Sequence, residues 1–272
     1  MTQKLHSFFK VSSKEVKQLS FGLKAPSNFN YFELPDPNGS FVNNSAKLYK
    51  QMNDSFLLEV NFDARYNGPL TELKLTNQNI ITWEDYWINA ETNKIIDPKI
   101  ERINLQKNSL VHANFNLTRN GLKYLNLEGN KNMRAVFITD APNLEVLNIS
   151  NCQALDVINL GNNKNIKALI ANNCKLSPLL QERLLRDFHP VRTSSSNRQF
   201  SMFRKTYETV LDMRGTEIDW SNRRIASKIR MLLCNNWLVL WDNPPPVSII
   251  PPQMYAFFTT NLEESLIKEY YG

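Results

Sequence analysis

Apolar side chains recur every 11 residues through the middle of the chain. The segments "LKYLNLEGNKN" from Leu122, "MRAVFITDAPN" from Met133, "LEVLNISNCQA" from Leu144, "LDVINLGNNKN" from Leu155 and "IKALIANNCKL" from Ile166 all carry apolar residues at positions 1, 4 and 6. Position 5 between them is mostly polar. Alternation over positions 4 to 6 predicts a short strand with one face inward. A strand this short cannot bury its apolar face alone. Successive turns are therefore expected to stack at the ~4.8 Å strand spacing, as a parallel sheet over a continuous core.

Position 9 separates the copies into two kinds. It holds Asn130, Cys152 and Cys174 in the copies from Leu122, Leu144 and Ile166, but Ala141 and Asn163 in the other two. The unit is therefore 22 residues in two similar halves. An earlier copy, "IERINLQKN", runs from Ile100 to Asn108 and is followed by the less regular "LVHANFNLTRNG". Weaker matches are "LTELKLTNQ" from Leu70 and "ETVLDMRGT" from Glu208. At position 9 an asparagine amide can donate and accept toward backbone groups that the bend leaves unpaired. A cysteine fits the same buried slot as a small, weakly polar residue. Asn108, Asn130, Cys152 and Cys174 are thus expected to form a structural ladder.

The pattern L-x-x-L-x-L-x-x-N/C resembles the leucine-rich-repeat family, and its two-half, 22-residue form looks like the short bacterial variety. The resemblance is clear over 100–177 and extends weakly to about 56 and 216. It implies an α/β solenoid of short parallel strands with helical or mixed caps at both ends. The motif is specific for architecture and unspecific for function. The expected organisation is a single domain, 1–272. Within it lie an N-terminal cap (1–55), the solenoid (56–216, with irregular excursions at 81–99 and 178–206) and a C-terminal cap (217–272). In the first excursion Trp83, Tyr86 and Trp87 have near-helical spacing that suits covering an edge. In the second, Ser177-Pro178 reads as an N-cap and first-turn proline. The helix "LLQERLLRDF" follows, then a polar loop, "RTSSSNRQFS". Further on come a helix burying Ile225, Ile229 and Leu232, a strand "WLVLW", a Pro-rich connector and a last short helix, "LEESLIKEYY".

Composition narrows the chemistry. Only 8 glycines in 272 residues argue against Gly-rich phosphate loops. The N-terminus lacks the apolar h-region of a signal peptide, and no stretch reaches the ~20 apolar residues of a membrane helix. A cytoplasmic chain with no membrane association is expected. Three cysteines, an odd number, then fit reduced thiols. The sequons at Asn43, Asn53, Asn116 and Asn148 read as accidents of abundant asparagine, an excess typical of low-GC bacterial or phage genomes. Cys152 and Cys174 are 22 residues apart, which equals the repeat and not the close C-x₂₋₄-C spacing of a zinc site. Cys234 falls on an amphipathic helix and is expected in the core, and His6, His112 and His189 lie in separate segments without ligand partners. No catalytic motif, metal site or cofactor loop is present. The expectation is a protein with no catalytic residues, no metal and no cofactor.

What remains is the outward face of the strands. In the copies from 100, 122, 144, 166 and 208, position 3 gives Arg102, Tyr124, Val146, Ala168 and Val210. Position 5 gives Asn104, Asn126, Asn148, Ile170 and Asp212, and position 7 gives Gln106, Glu128, Ser150, Asn172 and Arg214. One end is polar; the other gathers Val146, Ala168, Ile170 and Val210 into an apolar patch, which marks a binding site unless 178–206 or the C-terminal segment folds over it. The expected function is non-catalytic protein–protein interaction, as a scaffold or adaptor. The contacts would come from Tyr124, Asn126, Glu128, Val146, Asn148, Ser150, Ala168, Ile170 and Asn172. A nucleic-acid partner is the lesser alternative. Residues 183–230 hold 11 basic and 5 acidic groups and interleave Arg198, Phe200, Phe203, Arg204, Lys205 and Tyr207. A phage or assembly structural component, and an enzyme built from the irregular C-terminal region, are the remaining readings.

Overall fold

The computed structural model describes residues 2–11, 19–25, 28–34, 46–50, 55–63, 72–77, 80–89, 94–96, 100–115, 121–161, 163–188, 209–235, 237–243 and 245–246. Within these residues the chain is α/β, with many short parallel strands in two sheets and two helices. The N-terminal strands are β1 (Thr2–Val11), β2 (Leu19–Ala25), β3 (Asn28–Leu34), β4 (Ala46–Lys50), β5 (Ser55–Asp63), β6 (Glu72–Lys74), β7 (Ile80–Asn89) and β8 (Lys94–Ile96). Three-residue strands follow: β9 (Arg102–Asn104), β10 (His112–Asn114), β11 (Tyr124–Asn126), β12 (Ala135–Phe137), β13 (Val146–Asn148), β14 (Val157–Asn159) and β15 (Ala168–Ile170). The C-terminal elements are α1 (Pro178–Asp187), β16 (Val210–Asp212), α2 (Arg223–Cys234) and β17 (Leu238–Leu240).

The 11-residue halves alternate between the sheets. First halves give the ordered run β17-β16-β15-β13-β11-β9-β6, which β2 and β3 extend. Second halves give β14-β12-β10-β7, which β1, β5 and β4 extend. Neighbouring turns pair parallel and in register, so that Tyr124 lies beside Arg102 and Val146, and Val136 beside Ala113 and Ile158. The middle residue of each strand points inward. Ile103, Leu125, Leu147, Leu169 and Leu211 from the first sheet share one buried cluster with Ala113, Val136 and Ile158 from the second. Full burial of a Leu or Ile stabilises by roughly 1.5–3 kcal/mol, and each turn repeats that contribution.

One feature of the sequence is resolved differently from expectation. The aromatic excursion at 81–99 opens as strand, not helix: Thr82, Trp83 and Glu84 of β7 align with His112, Ala113 and Asn114, and Trp83 is buried in the core. The β-branched run Ile80-Ile81-Thr82 and pairing on both sides outweigh the helical spacing. The second half that follows Ile166 is a helix, as the N-cap and first-turn proline predict. Ser177 caps α1 by accepting from Leu180 N–H at 3.3 Å, with proline in the first turn. This helix packs on β14, where the next strand would have paired. One turn later α2 packs on α1, so the second sheet ends at β14 while the first continues to β17. The Phe188 and Trp237 rings meet edge to face at 4.8 Å and join the end of α1 to the start of β17. The Pro-rich connector, the segment "LEESLIKEYY" and the loop "RTSSSNRQFS" lie outside the described residues.

Candidate functional site

The ladder at position 9 is built from side chains that reach back one turn. Asn130 Nδ2 donates to Leu105 O at 3.0 Å and Leu127 O at 2.6 Å, while its Oδ1 accepts from Leu110 N–H at 3.2 Å. Asn108 does the same with Leu75, Leu105 and Ile80. Cys152 Sγ–H donates to Leu127 O at 3.4 Å, and Cys174 Sγ–H to Ile149 O at 3.0 Å. Each of the four donates to the position-6 carbonyl of the preceding turn, and the two asparagines also to that of their own. Burial pushes both thiols up, Cys174 to about 11, so both are protonated donors near neutral pH.

Two members of this ladder were not anticipated. Thr216, position 9 of the copy from Glu208, donates to Ala171 O at 3.2 Å and Cys174 O at 2.7 Å. Asn163 repeats the amide geometry in the second sheet, bonding Ile138 O at 2.7 Å and Ala141 N–H at 2.8 Å. Position 9 therefore does not distinguish the two halves; the alternation between sheets does.

A second ladder uses position 5. Asn104, Asn126, Asn148, Asn159 and Asp212 each accept, through Oδ1, the backbone N–H two residues on, at 2.9 to 3.1 Å. This turn chemistry bends the chain off the strand. It precedes position 8, where Asn77, Lys107, Gly129, Asn151, Asn173 and Gly215 all have positive φ. The amides also bridge neighbouring turns: Asn126 Nδ2 donates to Gln106, Asn148 Nδ2 to Glu128 and Asn172 Nδ2 to Asp212. Outward asparagines expected to meet a partner are thus engaged inside the chain. The sequon asparagine Asn148 is 1% exposed.

The nine expected contact residues do not form a free face. Tyr124, Asn126, Asn148, Ser150, Ala168 and Ile170 are buried, and Glu128, Val146 and Asn172 are half-buried. The apolar patch expected at one end is covered: Ala168, Val210 and Leu238 form a small second hydrophobic cluster, with Val146 and Leu240 packed against it. Ile170 beside them is buried too. Tyr124 lies under the Arg102 guanidinium, 3.9 Å from the ring centroid, a cation–π contact. Asp212 is buried and holds Arg214 through both oxygens, at 3.0 and 2.8 Å. An apolar stripe across four strands needs cover, and burial shows that the chain supplies it.

The outward face of the second sheet differs. His112 is exposed, Val157 is 37% exposed, Asn114, Phe137 and Asn159 are half-buried, and Ala135 is buried. Flanking the first sheet, position 2 alternates Glu101, Lys123, Glu145 and Lys167, with ion pairs of 2.9 Å (Lys123–Glu101) and 3.1 Å (Lys167–Glu145). The hydrogen bond to Glu101 raises the Lys123 ammonium above its ordinary range. Of the basic segment, Arg198 and the aromatics around it lie outside the described residues. Cys234, expected in the core, is exposed near the end of α2 because it falls on the helix face opposite Ile225, Ile229 and Leu232. Among the described residues no group of three or more His, Cys, Asp or Glu side chains is arranged to hold a metal ion, and no helix is long and apolar enough to cross a membrane. Compared with protein-family models, curated proteins and solved structures, the chain matches none of them.

Proposed function

We propose that this chain is a non-catalytic scaffold or adaptor, built as a leucine-rich-repeat-like solenoid, that holds a protein partner on the outward face of its second sheet. The observation that carries the reading is the exposure of His112 and Val157 in one row of the second sheet, with the small Ala135 buried between them, whereas the matching row of the first sheet is exposed at Arg102 and buried at Tyr124, Ala168 and Val210. The solenoid reading is supported by the strict alternation of halves between sheets and by the turn-to-turn ladders. A binding role is supported by where the recurring polar groups are spent: the position-9 and position-5 side chains bond to their own backbone, which leaves the variable positions between them to meet a partner. On the first sheet, contacts of this kind are confined to exposed Arg102 and the half-buried Asn104, Gln106, Glu128, Val146 and Asn172. A cytoplasmic location is supported by cysteines used as reduced ladder donors.

Site-specific photo-crosslinking tests the reading. A photoreactive residue at Val157 is expected to trap a protein in cells of the source organism, while one at the exposed bend residue Lys131 traps none. No adduct from Val157, or the same adducts from both, overturns the assignment.

A further inference from the structure

The two helices that replace the second sheet at its C-terminal end carry a surface unlike the rest of the chain. On α1 the buried stripe is Leu180, Leu184 and Leu185, which turns Leu179, Arg183 and Arg186 outward at helical spacing. On α2 the buried stripe is Ile225, Ile229 and Leu232, and Arg223, Ser227, Arg230 and Met231 face out. Glu182 locks the helices together, bonding Arg224 at 2.5 Å and Asn222 at 3.1 Å. Hydrogen bonding to Arg224 lowers the Glu182 carboxyl below its ordinary range, so this acid is committed to the joint.

Arg183, Arg223 and Arg230 are exposed and form no ion pair among the described residues. Arg223 stands in the first turn of α2, which holds no acid of its own, and the Glu182 carboxylate at this helix end is taken up by Asn222 and Arg224. Apolar chemistry accompanies the charge. Among the described residues the exposed large hydrophobics are Leu179 at 60%, Val157 and Met231 at 37%, and two of the three stand on these helices.

We propose that the outward surface of α1 and α2 is a second docking site and that its occupant is an acidic amphipathic segment of a protein. Guanidinium groups suit carboxylates, which they grip in a fork. Leu179 and Met231 supply the apolar contact that such a segment needs and that a phosphodiester backbone does not use. With the sheet face, which adjoins α1 at β14, this gives the chain two docking surfaces, as an adaptor requires.

Fluorescence anisotropy on the full chain tests the assignment. The probe is a labelled helical peptide of about 18 residues, with leucines at i, i+3, i+4 and i+7 and glutamates elsewhere. A duplex DNA of similar charge runs in parallel. The peptide is expected to bind, and to bind about tenfold more weakly when salt rises from about 50 to about 300 mM. Arg183→Glu with Arg223→Glu and Arg230→Glu is expected to abolish binding; Leu179→Ser with Met231→Ser is expected to weaken it while salt dependence persists. All five side chains are exposed, so the variants keep the wild-type melting curve, and single Arg230→Glu serves if the triple variant does not. Equal peptide affinity in the charge-reversed chain overturns the proposal, as does tighter binding of the DNA, which assigns the surface to nucleic acid. Loss here leaves crosslinking from Val157 unchanged, so the two sites fail independently.

Discussion

The two halves of the 22-residue unit have the same inward pattern and different fates. First halves remain strands from β6 to β17, and their outward face is buried at Ala168, Ile170 and Val210. Second halves are strands as far as β14, then helices, and their outward face is open at His112 and Val157. Inward-facing residues at position 4 are apolar in both sheets, from Leu125 and Leu147 to Val136 and Ile158. The difference lies outside the core. It teaches that the apolar period sets the stacking, while the residues between the periods decide which face is covered and which is offered.

That comparison can be broken by placing a charge on each face. Ile170→Asp is expected to cost about 3–5 kcal/mol or to prevent folding, because it buries a carboxylate without a partner. Val157→Asp is expected to stay within about 0.5 kcal/mol. Urea unfolding of both variants is the measurement, and equal losses would mean that the two faces do not differ. The ladder gives the next effect. Asn130→Ala strands the Leu110 N–H and takes a donor from two carbonyls, Leu105 O and Leu127 O, that keep Asn108 and Cys152, and is expected to cost about 2–3 kcal/mol; Cys152→Ala removes one weak donor and should cost about 1 kcal/mol. The glycines sharpen the comparison between sheets. A Cβ at Gly161 would stand 2.3 Å from Thr139 O, whereas at Gly129 it would meet the flexible Lys107 side chain at 3.3 Å. Gly161→Ala is expected to lower stability by about 2 kcal/mol or more and Gly129→Ala by about 1 kcal/mol.

Smaller effects run in the opposite direction or outside neutral pH. Lys107 adopts φ 56° where the other turns use asparagine or glycine, so Lys107→Gly is expected to raise stability by about 0.5–1 kcal/mol. Near pH 7 the buried thiols contribute no pH dependence. Cys174 titrates near 11 in the folded chain against an ordinary 9.0. The folded chain therefore keeps a proton that the unfolded chain releases, and stability is full below about pH 9 and falls as pH rises toward about 11. Cys174→Ser is expected to flatten that part of the pH–stability curve.

Much of the architecture is legible along the chain. The 11- and 22-residue periods give the inward residues, and the recurrence of Asn108, Asn130, Cys152 and Cys174 marks the ladder, because each of these is a local demand repeated every turn. Thr216 was readable by the same count, since it is position 9 of a recognisable copy. The position-5 amides were misjudged for a physical reason: an outward asparagine in a strand can face a partner or bond to its own backbone, and sequence spacing does not separate the two.

By itself, then, the sequence determined the repeat, the residues that fill the core and the side chains that close each bend. Those choices depend on neighbours within one turn, and alternation and side-chain chemistry express them directly. Tertiary structure alone decided that alternate halves form two sheets, that Trp83 belongs to a strand and that the patch at Ala168, Ile170 and Val210 is covered. Each of these depends on which distant segment lies alongside, a long-range contact that no local period encodes.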